Sequence, residues 1–231
     1  MDQPAAVGFF QVWDTYAKVV AANYMFHREL GEAIKAALRA HFGDRSFSML
    51  DLGCGDAATL APLLVGLPLK SYQGADLSEA ALKLAGKNLS GLSCPVDLIE
   101  ADFMEALSRA PAQDVIYSSF AVHHLTTERK AEFFRLAAQR LNPNGLLVLV
   151  DVAREEGQSL PAYHDSYCAW LRDTMVALSR EEADQICDHL VNNDLPEPYS
   201  LLAAQAEAAG LKPLPGSVPH KWHRLMLFAP R

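Results

Sequence analysis

Long apolar runs are missing from this chain. No stretch approaches the roughly 18 uninterrupted apolar residues that a membrane-spanning helix needs, so no span is expected. Cysteine is scarce. The four cysteines stand at 54, 94, 168 and 187, and no two have C-x-x-C spacing. A dithiol motif and the common zinc patterns are therefore not expected, and no metal site is assigned. Reduced thiols in a cytoplasmic protein are the plain expectation. Basic clusters are missing too. The net charge is −8 and no Lys/Arg run occurs, which disfavours a nucleic-acid partner held by phosphate contacts. The N-terminal "MDQPAAVGFFQVWD" lacks a basic region followed by an apolar one, so no secretory leader is expected.

What is present is enough for one domain. Half of the 231 residues are hydrophobic, an ordinary content for a single α/β unit with a sizeable core. Residues 9 to 41 carry Phe9, Val12, Trp13, Tyr16, Val19, Val20, Leu30, Ile34 and Leu38 at helical spacing. "SFSMLDLG" then reads as a buried strand, and residues 56 to 66 as a helix closed by Gly66 and Pro68. "SYQGAD", "VDLIEAD", "DVIYSSF" and "LLVLVDVA" read as further strands. The helices between them have their own signals. Ser78 is placed to cap "SEAALKLAGKNL", and "TERKAEFFRLAAQRL" is amphipathic and ends at "NPNG". Strand and helix alternate from 46 to 152, which predicts a parallel sheet covered on both faces. After 152 the rhythm changes. "AYHDSYCAWLRDTMVAL" and "REEADQICDHLVNN" predict two helices, with Ser179 and Glu182 at capping-box spacing. That stretch is too long for a simple connection and reads as an insertion with its own task. A last helix "SLLAAQAEAAG" and the strands "LKPLPGSV" and "HRLMLFA" close the chain. The expected organisation is one domain over 1–231: N-terminal helices over 1–45, a core over 46–152, a helical cap over 153–199, and a final helix and strand pair over 200–231.

The informative stretch is "MLDLGCGDAA". Two glycines follow a buried strand and its acid. In open α/β sheets ligands bind beyond the carboxyl ends of the strands, where strand order reverses. Gly53 suits a tight turn and Gly55 a close backbone approach by a ligand. A plain strand-to-helix turn would also need glycine. Asp76 and Asp102 end the next two strands, so three acids would share one rim of the sheet. Asp76 is placed to accept hydrogen bonds from ribose hydroxyls, although Asp is also common at strand ends and caps.

Taken together, these pieces resemble the class I S-adenosylmethionine-dependent methyltransferases over residues 46 to 152. "LDLGCGDA" resembles their first motif, "GADLS" the second, "EADF" the third, "DVIYSSFAVHHL" the fourth and "RLNPNGLLVLVDV" the fifth. Two turn positions depart from the family pattern: Ala57 stands where a third glycine is frequent, and Asn144 within Pro143-Asn144-Gly145. The resemblance implies a doubly wound, mostly parallel seven-stranded sheet whose last strand is antiparallel, with N-terminal helices and a helical insertion after strand 5. It implies S-adenosylmethionine as cofactor, with Asp51, Gly53, Cys54 and Gly55 at its methionine part. Asp76 and Leu77 would lie at the ribose, Asp102 and Phe103 at the adenine, and Ser118 and Ser119 nearby. An acidic glycine loop also suits an ammonium and a sulfonium better than a pyrophosphate, which Asp56 would repel. Arg28 is a candidate partner for the donor's carboxylate, unless it is simply solvated.

Methyl transfer needs an aligned nucleophile and a group to take its proton. His123 and His124 follow the fourth strand and are the candidate bases, since histidine titrates near neutrality. Capping a helix is their alternative role. Candidate acceptor-binding residues are Tyr16 and Tyr24, with Tyr163, Tyr167 and Trp170 on one helix face. Packing onto the sheet is the alternative for each. The sequence points to methylation of an oxygen or nitrogen on a small molecule. "SSFA" at 118–121 departs from the Asn/Asp-Pro-Pro-Tyr run of base-directed amino methylases. Two rivals stand: methylation of a protein or carrier-bound acyl group, and a non-catalytic binder of the donor or its product. Oligomeric state and the acceptor's identity stay open.

Overall fold

The computed structural model describes residues 15–216 and 219–231. Phe9, Val12 and Trp13 of the predicted N-terminal helix lie outside them. Residues 15–21 are helical, and α1 follows at His27–Phe42. Then come β1 (Phe47–Leu52), α2 (Ala61–Leu64), β2 (Leu69–Asp76), α3 (Glu79–Asn88), β3 (Val96–Glu100) and α4 (Phe103–Arg109). β4 (Gln113–Ser119), α5 (Thr127–Arg140) and β5 (Leu141–Val152) complete the alternation. α6 (Leu160–Thr174) and α7 (Arg180–Asn193) form the insertion. α8 (Tyr199–Ala208), β6 (Leu211–Pro213), β7 (Pro219–His220) and β8 (His223–Pro230) end the chain.

The sheet order is β3-β2-β1-β4-β5-β8-β6, with the two-residue β7 beside β8. β1 to β5 are mutually parallel and β8 runs antiparallel to β5. The expected seven strands are thus present, and β7 makes an eighth. Strand order reverses between β1 and β4, so ligands are expected at the C-terminal ends of those strands.

Alternation along the strands divides the core. Met49, Val115, Tyr117, Val148, Val150, Leu225 and Leu227 pack under α1, α2 and α3. Their neighbours Leu50, Leu52, Ile116, Leu147, Leu149, Met226 and Phe228 pack under α4, α5 and α8. Burying each such side chain is worth about 1.5–3 kcal/mol, so both faces anchor the sheet. A third cluster belongs to the cap, where Tyr163, Tyr167, Leu171, Met175, Cys187 and Leu190 pack with Val19, Val152 and Trp222.

The predicted helix over 56–66 is reduced to the four residues of α2. Gly55 and Ala57 both take positive φ, 53° and 55°, which a continuous right-handed helix cannot contain. Ala57 therefore adopts the backbone shape of the glycine it replaces. The caps agree with the sequence: Ser78 Oγ accepts from Ala81 N, and Ser179 and Glu182 form a reciprocal capping box.

A buried lysine fastens cap to core. Lys130 of α5 is 1% exposed. Its Nζ donates to Leu125 O and, at 2.7 Å, to Leu195 O just beyond α7. Nearby, Arg154 pairs with Glu197 at 3.1 Å, and Thr127 donates to the same carboxylate. Replacing the ammonium orphans two carbonyls. Lys130→Met is expected to lower unfolding free energy by about 2–4 kcal/mol, read by urea denaturation. An unchanged midpoint would deny the lysine this fastening role.

Candidate active site

A cavity of about 360 Å³ opens at the C-terminal ends of β1, β2 and β4. Its lining includes Tyr16, Asp51, Gly53, Cys54, Gly55, Asp56, Asp76, Ser119, Phe120, His124 and His189. Gly53 has φ 72°, and a Cβ there would stand 2.9 Å from Ala121 Cβ. The turn after β1 thus needs glycine for both reasons. It is stitched to β2: Gly53 N and Cys54 N donate to Ala75 O, and Gly55 N donates to Asp76 Oδ2 at 2.8 Å. Asp76 Oδ1 accepts from Ser78 N. Phe120, at φ 52°, holds the other wall; a non-glycine residue in that region marks backbone that tertiary contacts must hold in place.

Asp51 is the least conventional group in the cavity. It is 2% exposed, and Tyr72 Oη donates to its Oδ2 at 2.5 Å. Its Oδ1 is buried without a hydrogen-bond partner among the described residues. Burial pushes its pKa up to about 7 against the Tyr72 hydrogen bond, and Asp76 adds to the rise. Tyr72 reaches Asp51 across Gly74, the residue paired with Asp51 on β2. A Cβ at Gly74 would lie 3.0 Å from the Tyr72 ring, from Cys54 Sγ and from Leu98. The sequence reading missed Tyr72; the diagonal strand neighbour beside a glycine was the available signal.

The two histidines part company. His123 is buried, and its Nδ1 lies 2.5 Å from Asp151 Oδ1. Its backbone N–H donates to Asp151 Oδ2. Burial alone would lower its pKa. The Asp151 carboxylate, with Asp194 beyond it, overrides this and raises it to about 10. Its ring is buried between two carboxylates and does not line the cavity, so the fold does not bring this candidate base to the acceptor space. His124 is 40% exposed at its side chain and lines the cavity. His189 of α7 lies beside it, ring centroids 5.7 Å apart, and escaped the sequence reading because it sits in the cap.

Other expected residues fall in different places. Asp102 Oδ1 caps α4 by accepting from Met104 N and Glu105 N. Asp102, Phe103 and the 70% exposed Leu77 stand at neighbouring strand ends, outside the cavity lining. Ser118 is fully buried and donates to Leu52 O, so its hydroxyl serves the sheet. Arg28 is exposed and lines none of the described cavities. Tyr24 Oη accepts from Ala177 N, Tyr163 is buried in the cap core, and Trp170 packs on Trp222 and His223.

A second chamber of about 300 Å³ lies beneath the cap. Val19, Met25, Tyr167, Leu171, Met175 and Ile186 make it largely apolar, with Thr15, Glu182 and Gln185 as polar points. Tyr16 and His189 line both spaces. Burial and then Asp56 push the Tyr16 phenol up to about 12.

Parallel topology, a glycine turn tied to β2 and acids at successive strand ends define a Rossmann-like enzyme built for a nucleoside-bearing cofactor. The family model described as "Methyltransferase domain" matches residues 49–145. An uncharacterised methyltransferase of Bacillus subtilis is 27% identical over 154 residues, which is 66% of this chain and 70% of that one. The magnesium protoporphyrin IX methyltransferase of Synechocystis, solved with bound S-adenosylhomocysteine, superposes with a TM-score of 0.62 at 14% identity. It covers 90% of this chain and 84% of its own. A further S-adenosylhomocysteine complex, that of DhpI, gives 0.58 at 16% identity over 95% of each chain. These likenesses support an S-adenosylmethionine-dependent methyltransferase of class I, with S-adenosylmethionine as its cofactor. The residues present fit that cofactor: the orphaned Asp51 Oδ1 is an acceptor awaiting a donor such as an ammonium.

Gly74 tests the Tyr72–Asp51 arrangement. Gly74→Ala is expected to cost about 1–3 kcal/mol by overpacking, measured as a lowered midpoint in chemical denaturation. Wild-type stability would show that the ring and Cys54 yield freely.

Proposed function

We propose that this enzyme methylates an oxygen or nitrogen of a small, largely apolar molecule. The observation that carries this reading is the pair of adjoining spaces, one rimmed by carboxylates and one apolar, with Tyr16 and His189 on the wall of both. Asp51, with Gly53, Cys54 and Gly55, would hold the methionine part of the cofactor. Asp76 would take the ribose hydroxyls and Asp102 the adenine amino group. The exposed Leu77 and Phe103 would flank the base, an apolar use for an otherwise solvated leucine. When bound, the cofactor supplies a methyl group on a positively charged sulfur.

The chain's own part is to align, to exclude water and to move a proton. The cap covers the acceptor chamber, which strengthens electrostatics inside. Tyr167 contributes its ring there while its hydroxyl is engaged with His223 Nε2 at 3.0 Å. His124 is the proton acceptor this reading retains, with His189 as a second. Small-molecule acceptors are favoured over a protein or carrier because the chamber is a confined, largely apolar space of about 300 Å³ between residues 15–25 and α6 and α7.

The direct test uses donor labelled in its methyl group, with a metabolite extract separated by size. Label is expected in the low-molecular-weight fraction. Label confined to protein or carrier would overturn the acceptor class.

Donor binding should depend on pH through Asp51. The carboxylate form receives the ammonium, so the proton must leave as the donor binds. Affinity is expected to fall as pH drops through about 7, approaching tenfold per unit below it. Calorimetry at several pH values checks this, and Asp51→Asn should flatten the profile. A flat wild-type profile would remove Asp51 from the cofactor site.

His124→Ala should reduce kcat by roughly 100-fold or more while donor Kd changes little, the scale of a lost general base. Leu171→Trp should fill the chamber and raise the acceptor KM, again with donor binding intact. Unchanged kinetics in either variant would refute its assignment.

A further inference from the structure

Beside the cavity sits a cluster that the transfer reading leaves unused as a unit. The short turn after β4 carries His123 and His124, and Asp194 caps the end of α7. One ligand atom from each of His123, His124 and Asp194 lies within 4.8 Å of the other two. Asp194 Oδ1 is 3.5 Å from the first nitrogen and 3.2 Å from the second. Donors bound at about 2.0–2.2 Å to one ion stand roughly 3–3.5 Å apart, so these spacings match a shared cation.

Two further observations mark this cluster out. Asp194 is 8% exposed, and among the described residues its buried Oδ1 has no hydrogen bond of acceptable geometry. Meanwhile His123 directs its other nitrogen, Nδ1, to Asp151 at 2.5 Å. Asp151 is itself held by His123 N and Val152 N. A ligating histidine backed by a fixed carboxylate is the usual outer support of a metal site, since it sets the tautomer and raises ligand basicity. The sequence had offered no such site, because Asp194 lies 70 residues beyond His124.

We propose that His123, His124 and Asp194 bind a divalent first-row transition ion at the edge of the cavity. Two imidazoles and one carboxylate suit Zn²⁺, Co²⁺ or Mn²⁺ better than Mg²⁺ or Ca²⁺, which take oxygen. In the ion-bound state the metal replaces the proton on His123 Nε2. His124 is the ligand that lines the cavity, so the open position faces the space where His189 also stands. With the ion bound His124 is a ligand and no longer the free base of the transfer reading, so an acceptor heteroatom bound there would lose its proton more readily and to His189. That catalytic consequence rests on the proposed transfer reaction; ion binding does not.

The test uses full-length protein stripped with chelator and titrated with Co²⁺ or Zn²⁺. One equivalent of Co²⁺ should give visible absorption bands, and Zn²⁺ should displace them while Mg²⁺ should not. Asp194→Asn and His124→Ala should each weaken Co²⁺ binding at least 10-fold, comparable to the loss of a metal-site partner. His124 is the decisive site should Asp194→Asn fail to fold, since its side chain is exposed and its loss spares the core. Circular dichroism and S-adenosylhomocysteine calorimetry on the same variants establish that each is folded. Absence of a stoichiometric Co²⁺ band in the wild type would overturn the proposal. So would equal Co²⁺ affinity in wild type and His124→Ala. Co²⁺ binding lost in the variants, with S-adenosylhomocysteine failing to bind even the wild type, would support the metal site and refute the cofactor reading.

Discussion

The hydrogen bond from Gly55 N to the Asp76 carboxylate joins the turn after β1 to the end of β2, and the cavity depends on it. The contact closes a loop of backbone over the point where strand order reverses. It positions an acid, two glycines in left-handed conformations and an unpartnered carboxylate oxygen around one space. Remove the carboxylate at 76 and Gly55 N and Ser78 N both lose their acceptor. The turn would then have only the contacts of Gly53 N and Cys54 N with Ala75 O.

A second constraint lies deeper. Burying Asp51 is costly, and the single hydrogen bond from Tyr72 offsets only part of that cost. The remaining oxygen is held ready and unsatisfied. A buried acceptor of this kind is poorly solvated by water and well matched to a cationic ligand, which is how a stability deficit becomes binding selectivity. Gly74 makes the arrangement sterically possible. His123 shows the opposite solution, a buried cationic group compensated by carboxylates on both sides.

Local signals carried much of the fold. The near-continuous apolar runs of β1, β4 and β5, the Ser78 cap and the Ser179–Glu182 box were all readable because each is decided within a few residues. The helix expected over 56–66 failed for a reason equally local but silent. Nothing in the letters of Ala57 announces a positive φ; the surrounding turn imposes it. Asp51, Gly53, Gly55, Asp76 and Ser119 gather as anticipated because they occupy strand ends and their loops. Ser118 and Ser119 separate because adjacent residues on a strand face opposite ways.

The sequence by itself determined the alternation of strands and helices and the acids at strand ends that carry the resemblance to methyltransferases, because those properties follow from short-range periodicity and turn chemistry. Only the tertiary structure decided which histidine lies inside and which lines the cavity. It alone brought His189 and Asp194 from the cap to the turn after β4, and made Tyr16 a wall of two spaces. Contacts between residues some 70 or more positions apart depend on how the cap packs on the core, and no local pattern encodes that packing.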